Sequence, residues 1–556
     1  FLLAMTSSLH QINKELNRRA LIIGLLLFFP ITGLRAQEES KSDTLYYELK
    51  RDIIVTAFDG RSSLLDTPGS ISRIKEPRLR SFNQASLVQT FNSVPGVRFE
   101  ERATGSYRIA LRGSALRSPF GVRNVKVYWN GIPFSQPTGS TPFNLFDAIN
   151  FEDVEVIKGP AGSVYGAGTG GAILIGSREK PTGGLHVHTN GMLGSFGMQR
   201  YTASGGYTDT DGNYSVQAGF ANQSTDGYRD QNFLSRQVIE SRIEYNLKGE
   251  HRWSLFQLYS DLNYGIPGGL NLGQFHSDPT QARPGNPFVL GSKAANASID
   301  QQFILLGGGH EFDSGAGFSI RNRVFMKHSD FENPFNLDYK IDDRFSIGVR
   351  SVAAYRFSFD DAVSVVTAGI EFQRADNTAR NFENDSSRAG SLNFEDELDL
   401  NSLIVFIKNE WILQNGWTLN AGLSYNEFRY RINRLEDNLS GNPGVVNRNF
   451  DPVFVPRIGF SYRLNPNNAV HASISYGFSA PTLEEVRTNE GSINLNLKPE
   501  NGINYEVGFR GNNGNQKLSY DLALFYFNLK DAIVQRESPR GTTLFANSGS
   551  TDQWGL

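Results

Sequence analysis

From Gly183 onward, apolar and polar residues alternate one for one in segment after segment. Trp417, Leu419, Ala421, Leu423 and Tyr425 interleave with Thr418, Asn420, Gly422, Ser424 and Asn426, so an extended chain carries one apolar and one polar face. The same period of two recurs over 214–220, 243–247, 366–372, 458–462, 470–476 and 505–509. Polar turns such as Asn465-Pro-Asn-Asn468 are short, whereas 265–298 and 376–399 read as long loops. The pattern predicts many antiparallel strands joined by short turns and long loops in asymmetric fashion.

Upstream the pattern is mixed. Leu87, Val88, Phe91 and Val94 recur at helical spacing until Pro95-Gly96 ends the helix. Tyr107-Arg-Ile-Ala-Leu-Arg-Gly113 alternates as a strand. Val154, Val156 and Ile157 belong to another, which Gly159-Pro160 terminates because proline fixes φ and glycine admits positive φ. Gly162, Gly166, Gly168, Gly170 and Gly171 then allow a path free of side chains before 172–175 resumes as a strand, and such a backbone suits close packing against a wall. A phosphate-cradling loop would need Gly-Lys-Ser/Thr opening a helix, and these glycines lead into a β-rich run instead. Residues 52 to about 178 read as one small α/β domain.

Composition changes the picture in two ways. The 556 residues include 56 Gly, 40 Phe and 21 Tyr but no cysteine, which excludes a disulfide framework, a thiolate metal site and a thiol nucleophile. With 54 basic against 57 acidic residues, the net charge of −3 gives no footprint for nucleic acid. A mean hydropathy of −0.36 would suit a soluble protein, yet a membrane barrel hides its apolar face in that average. A soluble β-sandwich alternates equally well. What separates the two is the run Ala20-Leu-Ile-Ile-Gly-Leu-Leu-Leu-Phe-Phe-Pro-Ile-Thr-Gly33 behind Lys14, Arg18 and Arg19. It reads as a signal peptide, since it is shorter than the roughly 20 residues of a spanning helix, is broken by Pro30, and is followed by Ala36 as a small residue at the cut. A retained anchor helix is the other reading. Because the chain opens with Phe1, its start is expected at Met5 or upstream.

The most specific signals are Val125-Lys-Val-Tyr-Trp-Asn-Gly-Ile-Pro133 and Glu155-Val-Ile-Lys-Gly-Pro-Ala-Gly-Ser-Val-Tyr-Gly-Ala-Gly-Thr-Gly-Gly-Ala-Ile-Leu-Ile175. They resemble the plug domain of TonB-dependent outer-membrane receptors, with Asn130 where Asp is commoner, a change that keeps the turn chemistry. The matching positions include Arg112, Gly113, Asn130, Gly131, Gly159, Pro160, Tyr165, Gly166, Gly170 and Gly171. Farther on, 476–485 and 497–506 resemble barrel signatures of the same family. The fold this resemblance implies is membrane β: an N-terminal α/β plug domain inside a transmembrane antiparallel β-barrel of the 22-strand class. The domains expected are a signal peptide at 1–36, a periplasmic segment at 37–57, the plug at 58–178 and the barrel at 183–556. Residues 547–556 resemble the start of a strand that the family normally follows with several more, so a truncated barrel lacking its last strands is expected.

The resemblance also implies a function: TonB-dependent, proton-gradient-coupled uptake of an iron(III) chelate across a Gram-negative outer membrane. Its partners would be the TonB energy-transducing complex, outer-membrane lipid and the chelate; no enzyme activity and no cofactor are implied, iron entering only within the transported chelate. Asp52, Ile53, Ile54, Val55, Thr56 and Ala57 resemble the TonB box, an extended β-branched hexapeptide able to add itself to a partner's sheet edge. Alternatively this segment is simply the first plug strand. Arg102 and Arg117, in plug loops, are the expected ligand-binding forks for an anionic chelate, with Phe120 beside them, while Arg108 and Arg112 are expected to pin plug to wall. The segment 264–283 resembles a loop of ferric-dicitrate-type receptors. Cobalamin or a glycan stays open as cargo, with Phe120, Tyr128 and Trp129 as stacking surfaces. A passive porin or adhesin would show neither plug nor box. His186 and His188 share a strand face, and Glu383, Asp385, Glu395, Asp396, Glu397 and Asp399 form an acidic loop; a structural role for the first and a solvated surface for the second are preferred over metal binding. Because plug segments must move, the plug–barrel boundary is expected to be hydrogen-bonded and hydrated rather than apolar.

Overall fold

The computed structural model describes residues 53–556 except 115, 119–120, 177–182, 248, 288, 489, 515–516 and 538–542. The readings of 1–52 and of Phe120 therefore lie outside the described residues.

Seventeen strands form one antiparallel sheet that follows chain order, from Gly184–Leu193 to Ser550–Gly555. These two end strands do not pair with each other, and where the 22-strand class was expected the described sheet has seventeen. Its alternation runs opposite to that of a water-soluble protein. On the strand Trp417–Asp437, Thr418, Asn420, Ser424 and Asn426 are buried, whereas Trp417, Leu419 and Leu423 are exposed. An apolar outer face is what lipid contact selects, and the polar inner face meets an enclosed domain. Outward aromatics gather at the short-turn end: Phe359 stacks on Trp411 at 5.6 Å and Trp417 lies 4.6 Å from Tyr462, as in the girdle of a membrane interface.

The connections 226–233, 266–297, 438–452 and 480–499 stand at the opposite end. The segment 376–399 is no loop: Ala362–Asp385 and Arg388–Leu413 form a long hairpin turned by Ser386 and Ser387, both at positive φ. Its acidic side chains misled because charged residues suit a strand face that stands clear of lipid, where Arg374 pairs with Asp376 at 2.8 Å and with Asp399 at 3.1 Å.

Inside the wall, Ser70–Lys75, Asp153–Lys158, Gly171–Gly176, Val125–Trp129 and Ile132–Pro133 make a five-stranded sheet in that order, its one parallel pairing joining Gly171–Gly176 to Val125–Trp129. Asn130 and Gly131 turn the last hairpin at φ 53° and 78°, which explains why an asparagine serves there. The glycine run encloses a short helix, Gly162–Tyr165, and presses against the wall: a Cβ on Gly166 would lie 2.4 Å from Ile404 Cδ1, and one on Gly171 2.0 Å from the Ile157 carbonyl oxygen. The predicted helix forms as Val88–Asn92, with Phe91 buried against Phe99 and Phe143 at 5.0 and 5.6 Å.

That aromatic core does not stop at the domain edge. Phe134 meets Phe303 at 5.5 Å and Trp129 meets Phe256 at 6.2 Å, and Leu258, Leu262, Leu305 and Phe325 of the wall belong to the same buried cluster. The expectation of a hydrogen-bonded rather than apolar boundary is thereby corrected in part: on this side of the plug apolar packing sits beside buried polar contacts, with Asp147 held by Arg200 at 2.6 Å and Arg236 at 3.0 Å and the Pro133 carbonyl accepting from Lys327 at 3.2 Å.

Candidate functional site

At the short-turn end the chain enters the plug. Ile54–Val55 pairs antiparallel with Ser62–Ser63, the Arg73 guanidinium donates to the Ile54 carbonyl at 2.8 Å, and the Thr56 N–H is shared by both Glu155 oxygens at 2.8 and 2.9 Å. Val55 is 1% exposed, but Ile53 and Ile54 are 49% and 39% exposed. The β-branched stretch that resembles a TonB box is thus clipped to the plug with one apolar edge outward. Its Asp52 lies outside the described residues.

The next residues are held in an uncommon conformation. Phe58 and Asp59 both have positive φ, 58° and 55°, which costs energy in non-glycine residues and persists only where surroundings enforce it. Here the enforcement is electrostatic: the Asp59 carboxylate meets Arg350 at 2.6 Å and Arg321 at 3.3 Å on the wall. Burial by itself would raise the Asp59 carboxyl, and the two guanidiniums outweigh it and hold it below the ordinary aspartate value. Arg350 also reaches Glu371 at 3.1 Å, which binds plug Lys126 at 3.2 Å and accepts the Tyr128 hydroxyl at 2.8 Å. A charged chain therefore runs from the entry segment to the central plug strand.

A second charged cluster lies toward the loop end. Arg117 is 1% exposed, with Nε 3.0 Å from Glu485 Oε1, Nη2 donating to the Ala480 carbonyl at 2.8 Å, and Nη1 3.4 Å from Glu500. Arg123 joins it on Glu485 at 3.0 Å. Burial would lower the Arg117 guanidinium, but Glu485 and Glu500 raise it above its usual range; burial would likewise raise Glu485, and Arg117 and Arg123 hold it down. Arg112 reaches Glu506 at 2.6 Å and lies 4.3 Å over the Phe525 ring. Arg108 pairs with Glu100 at 3.0 Å within its own hairpin, Val97–Ala103 with Ser106–Leu111.

The two arginines expected to meet ligand part company. Arg117 is a buried fastener whose fork is occupied by Glu485 and Ala480, because the loop 480–499 folds inward over it. Arg102 is exposed on the hairpin whose tip rises to the loop end, where the Thr104 N–H donates to Asn232 Oδ1 at 3.1 Å. Phe120 lies outside the described residues, and Tyr128 and Trp129 are buried. Sequence reading gave no role to Asp59 and Arg350 and knew Glu155 and Glu485 only as motif positions, because their importance comes from partners up to 368 residues away. Among the described residues His186 and His188 belong to no group of three metal-ligating side chains.

Similarity to known proteins points one way. A family model described as TonB-dependent Receptor Plug Domain matches residues 63–173, and one described as TonB dependent receptor-like, beta-barrel matches 181–556. The vitamin B12 transporter BtuB of Vibrio vulnificus is 21% identical over 495 residues, 87% of this chain and 70% of that protein. The iron-regulated outer membrane virulence protein of Vibrio cholerae is 23% identical over 568 residues, 96% of this chain and 75% of that one. Among solved structures, the unliganded ferric citrate transporter FecA superposes with a TM-score of 0.69 at 15% identity, over 84% of this chain and 71% of FecA. A wall matched through most of its length as the receptor barrel, enclosing a domain matched as its plug, places this chain in the TonB-dependent receptor family.

Proposed function

We propose that the protein imports an anionic iron(III) chelate, carboxylate-rich in kind, across the outer membrane when TonB pulls on Asp52–Ala57. Members of the family are outer-membrane receptors rather than enzymes, and they work with TonB and carry no resident cofactor; the iron is cargo. The observation that carries the reading is the opposition of the two ends: Ile53 and Ile54 are offered at the short-turn end, and the Arg102 hairpin rises among the long loops. A donor fork at that hairpin suits a carboxylate. Likeness to a ferric citrate transporter and to an iron-regulated outer membrane protein favours an iron chelate, while likeness to a vitamin B12 transporter keeps cobalamin as the second reading. In this reading residues 1–36 direct export and 37–57 form the periplasmic arm.

The test is direct binding of ferric citrate, a ferric hydroxamate, a ferric catecholate and cobalamin. Ferric citrate is expected to bind, and Arg102→Ala to weaken it by about tenfold, as loss of one charge-assisted contact does. Arg117→Ala is expected to loosen the plug without a matching loss of affinity. Selective binding of cobalamin, indifferent to Arg102, would replace this ligand assignment.

A further inference from the structure

Around the segment that follows the entry strand, the inner wall carries more cations than its own carboxylates answer. Arg457 and Arg510 are 4% and 2% exposed. Arg457 donates to the Pro68 carbonyl and to Asn420 Oδ1 at 3.4 Å, and forms no ion pair among the described residues. Arg510 donates to the carbonyls of Leu64 at 2.8 Å, Thr67 at 3.5 Å and Gly69 at 2.5 Å, and on the wall lies 2.7 Å from His471 Nε2 and 3.6 Å from Asp521. Beside them Arg350 and Arg321 meet Asp59, and Arg463 meets Asp66 at 2.7 Å. Of the wall carboxylates nearby, Glu371 is shared with Lys126, Glu506 is taken by Arg112 of the plug, and Glu410 sits 3.9 Å from Lys408.

All the plug acceptors for these guanidiniums come from one stretch, residues 59–69. It directly follows the entry segment, so it is the first part of the plug that tension on Ile53–Ala57 draws out, while the packing against Phe256 and Phe303 and the pairing of Asp147 with Arg200 and Arg236 hold the rest. Its departure removes the plug acceptors and leaves Arg457 with Asn420 alone, Arg510 with His471 and the more distant Asp521, and Arg350 with Glu371, an under-satisfied buried state that another acceptor relieves.

Resting on the uptake reading above, we propose that residues 59–69 occupy an anion transit site on the wall, their carboxylates and carbonyl oxygens standing in for cargo, and that the cargo passing through is an anion with carboxylate-type oxygen acceptors. The two arginines held mainly by carbonyls, Arg457 and Arg510, define the site; a planar carboxylate satisfies such forks better than the carbonyls it replaces.

Ion selectivity tests this without any chelate. The full receptor chain is placed in a planar lipid bilayer in a potassium chloride gradient, and the plug is released by urea on the short-turn side. The opened path is expected to favour chloride over potassium by on the order of threefold, and Arg457→Gln with Arg510→Gln is expected to bring that ratio close to unity. As a second route, a chain lacking residues 59–69 opens the path without urea, its barrel checked by heat-dependent gel mobility. Potassium selectivity, or a ratio unmoved by the glutamine pair, would overturn the proposal. Failure of ferric citrate to bind would instead sink the chelate assignment, because chloride selectivity does not depend on it.

Discussion

Ile54→Pro and Val55→Pro are expected to abolish energised uptake, a fall of about a hundredfold, while surface binding of cargo stays within about twofold. Ile54 lies on an exposed apolar edge, and its backbone is held by a two-residue ladder with Ser63 and one bond from Arg73, so exchange for a partner's strand costs little. Proline removes the N–H that an added strand requires and fixes φ, and either change prevents pairing with a partner's edge. Ile54→Ala, which keeps the backbone donor, is expected to retain most uptake. Full transport by both proline variants would show this segment to be plug framework alone.

The second large effect is expected at Glu485. Glu485→Gln leaves Arg117 and Arg123 buried with their shared carboxylate gone, a loss of roughly 3–5 kcal/mol for a buried pair deprived of one partner. Glutamine keeps the shape and one acceptor, so the deficit is one of charge. The urea midpoint for plug release should fall accordingly, whereas Glu76→Gln, whose pairing with Arg80 is partly solvent-exposed, should leave it almost unmoved. An unchanged midpoint for Glu485→Gln would mean that the plug is seated by its other contacts and not by this cluster.

Much of this architecture was legible because its physics is local. Alternation of Trp417 through Asn426 fixes which face meets lipid, and the Gly159-to-Gly171 run announces a backbone that must approach a neighbour closely, as Gly166 approaches Ile404. Where charge was read as exposure, the reading failed. The acidic stretch 376–399 is a hairpin because a strand beyond the lipid carries charges on its outer face as readily as a loop does. Arg117, flanked by small residues, looked like a free loop arginine, and only the folded chain brings Glu485 to it. Asp59 carried no signal at all: one aspartate among many, it becomes a pin because Arg350 and Arg321 converge on it from two different wall strands. Long-range ion pairs have no period and no motif. The aromatic packing of Trp129 and Phe134 on the wall was hidden for the same reason, since an aromatic strand reads alike whether it faces its own core or a neighbour's.

The central claim is active import of an anionic iron chelate, and radiolabelled ferric citrate uptake tests it most directly, measured in cells that make the receptor with and without functional TonB. Accumulation that requires both the receptor and TonB, and that Ile54→Pro abolishes, is the predicted result. Accumulation that proceeds equally without TonB, or that is absent when the receptor and TonB are both present, would contradict the account.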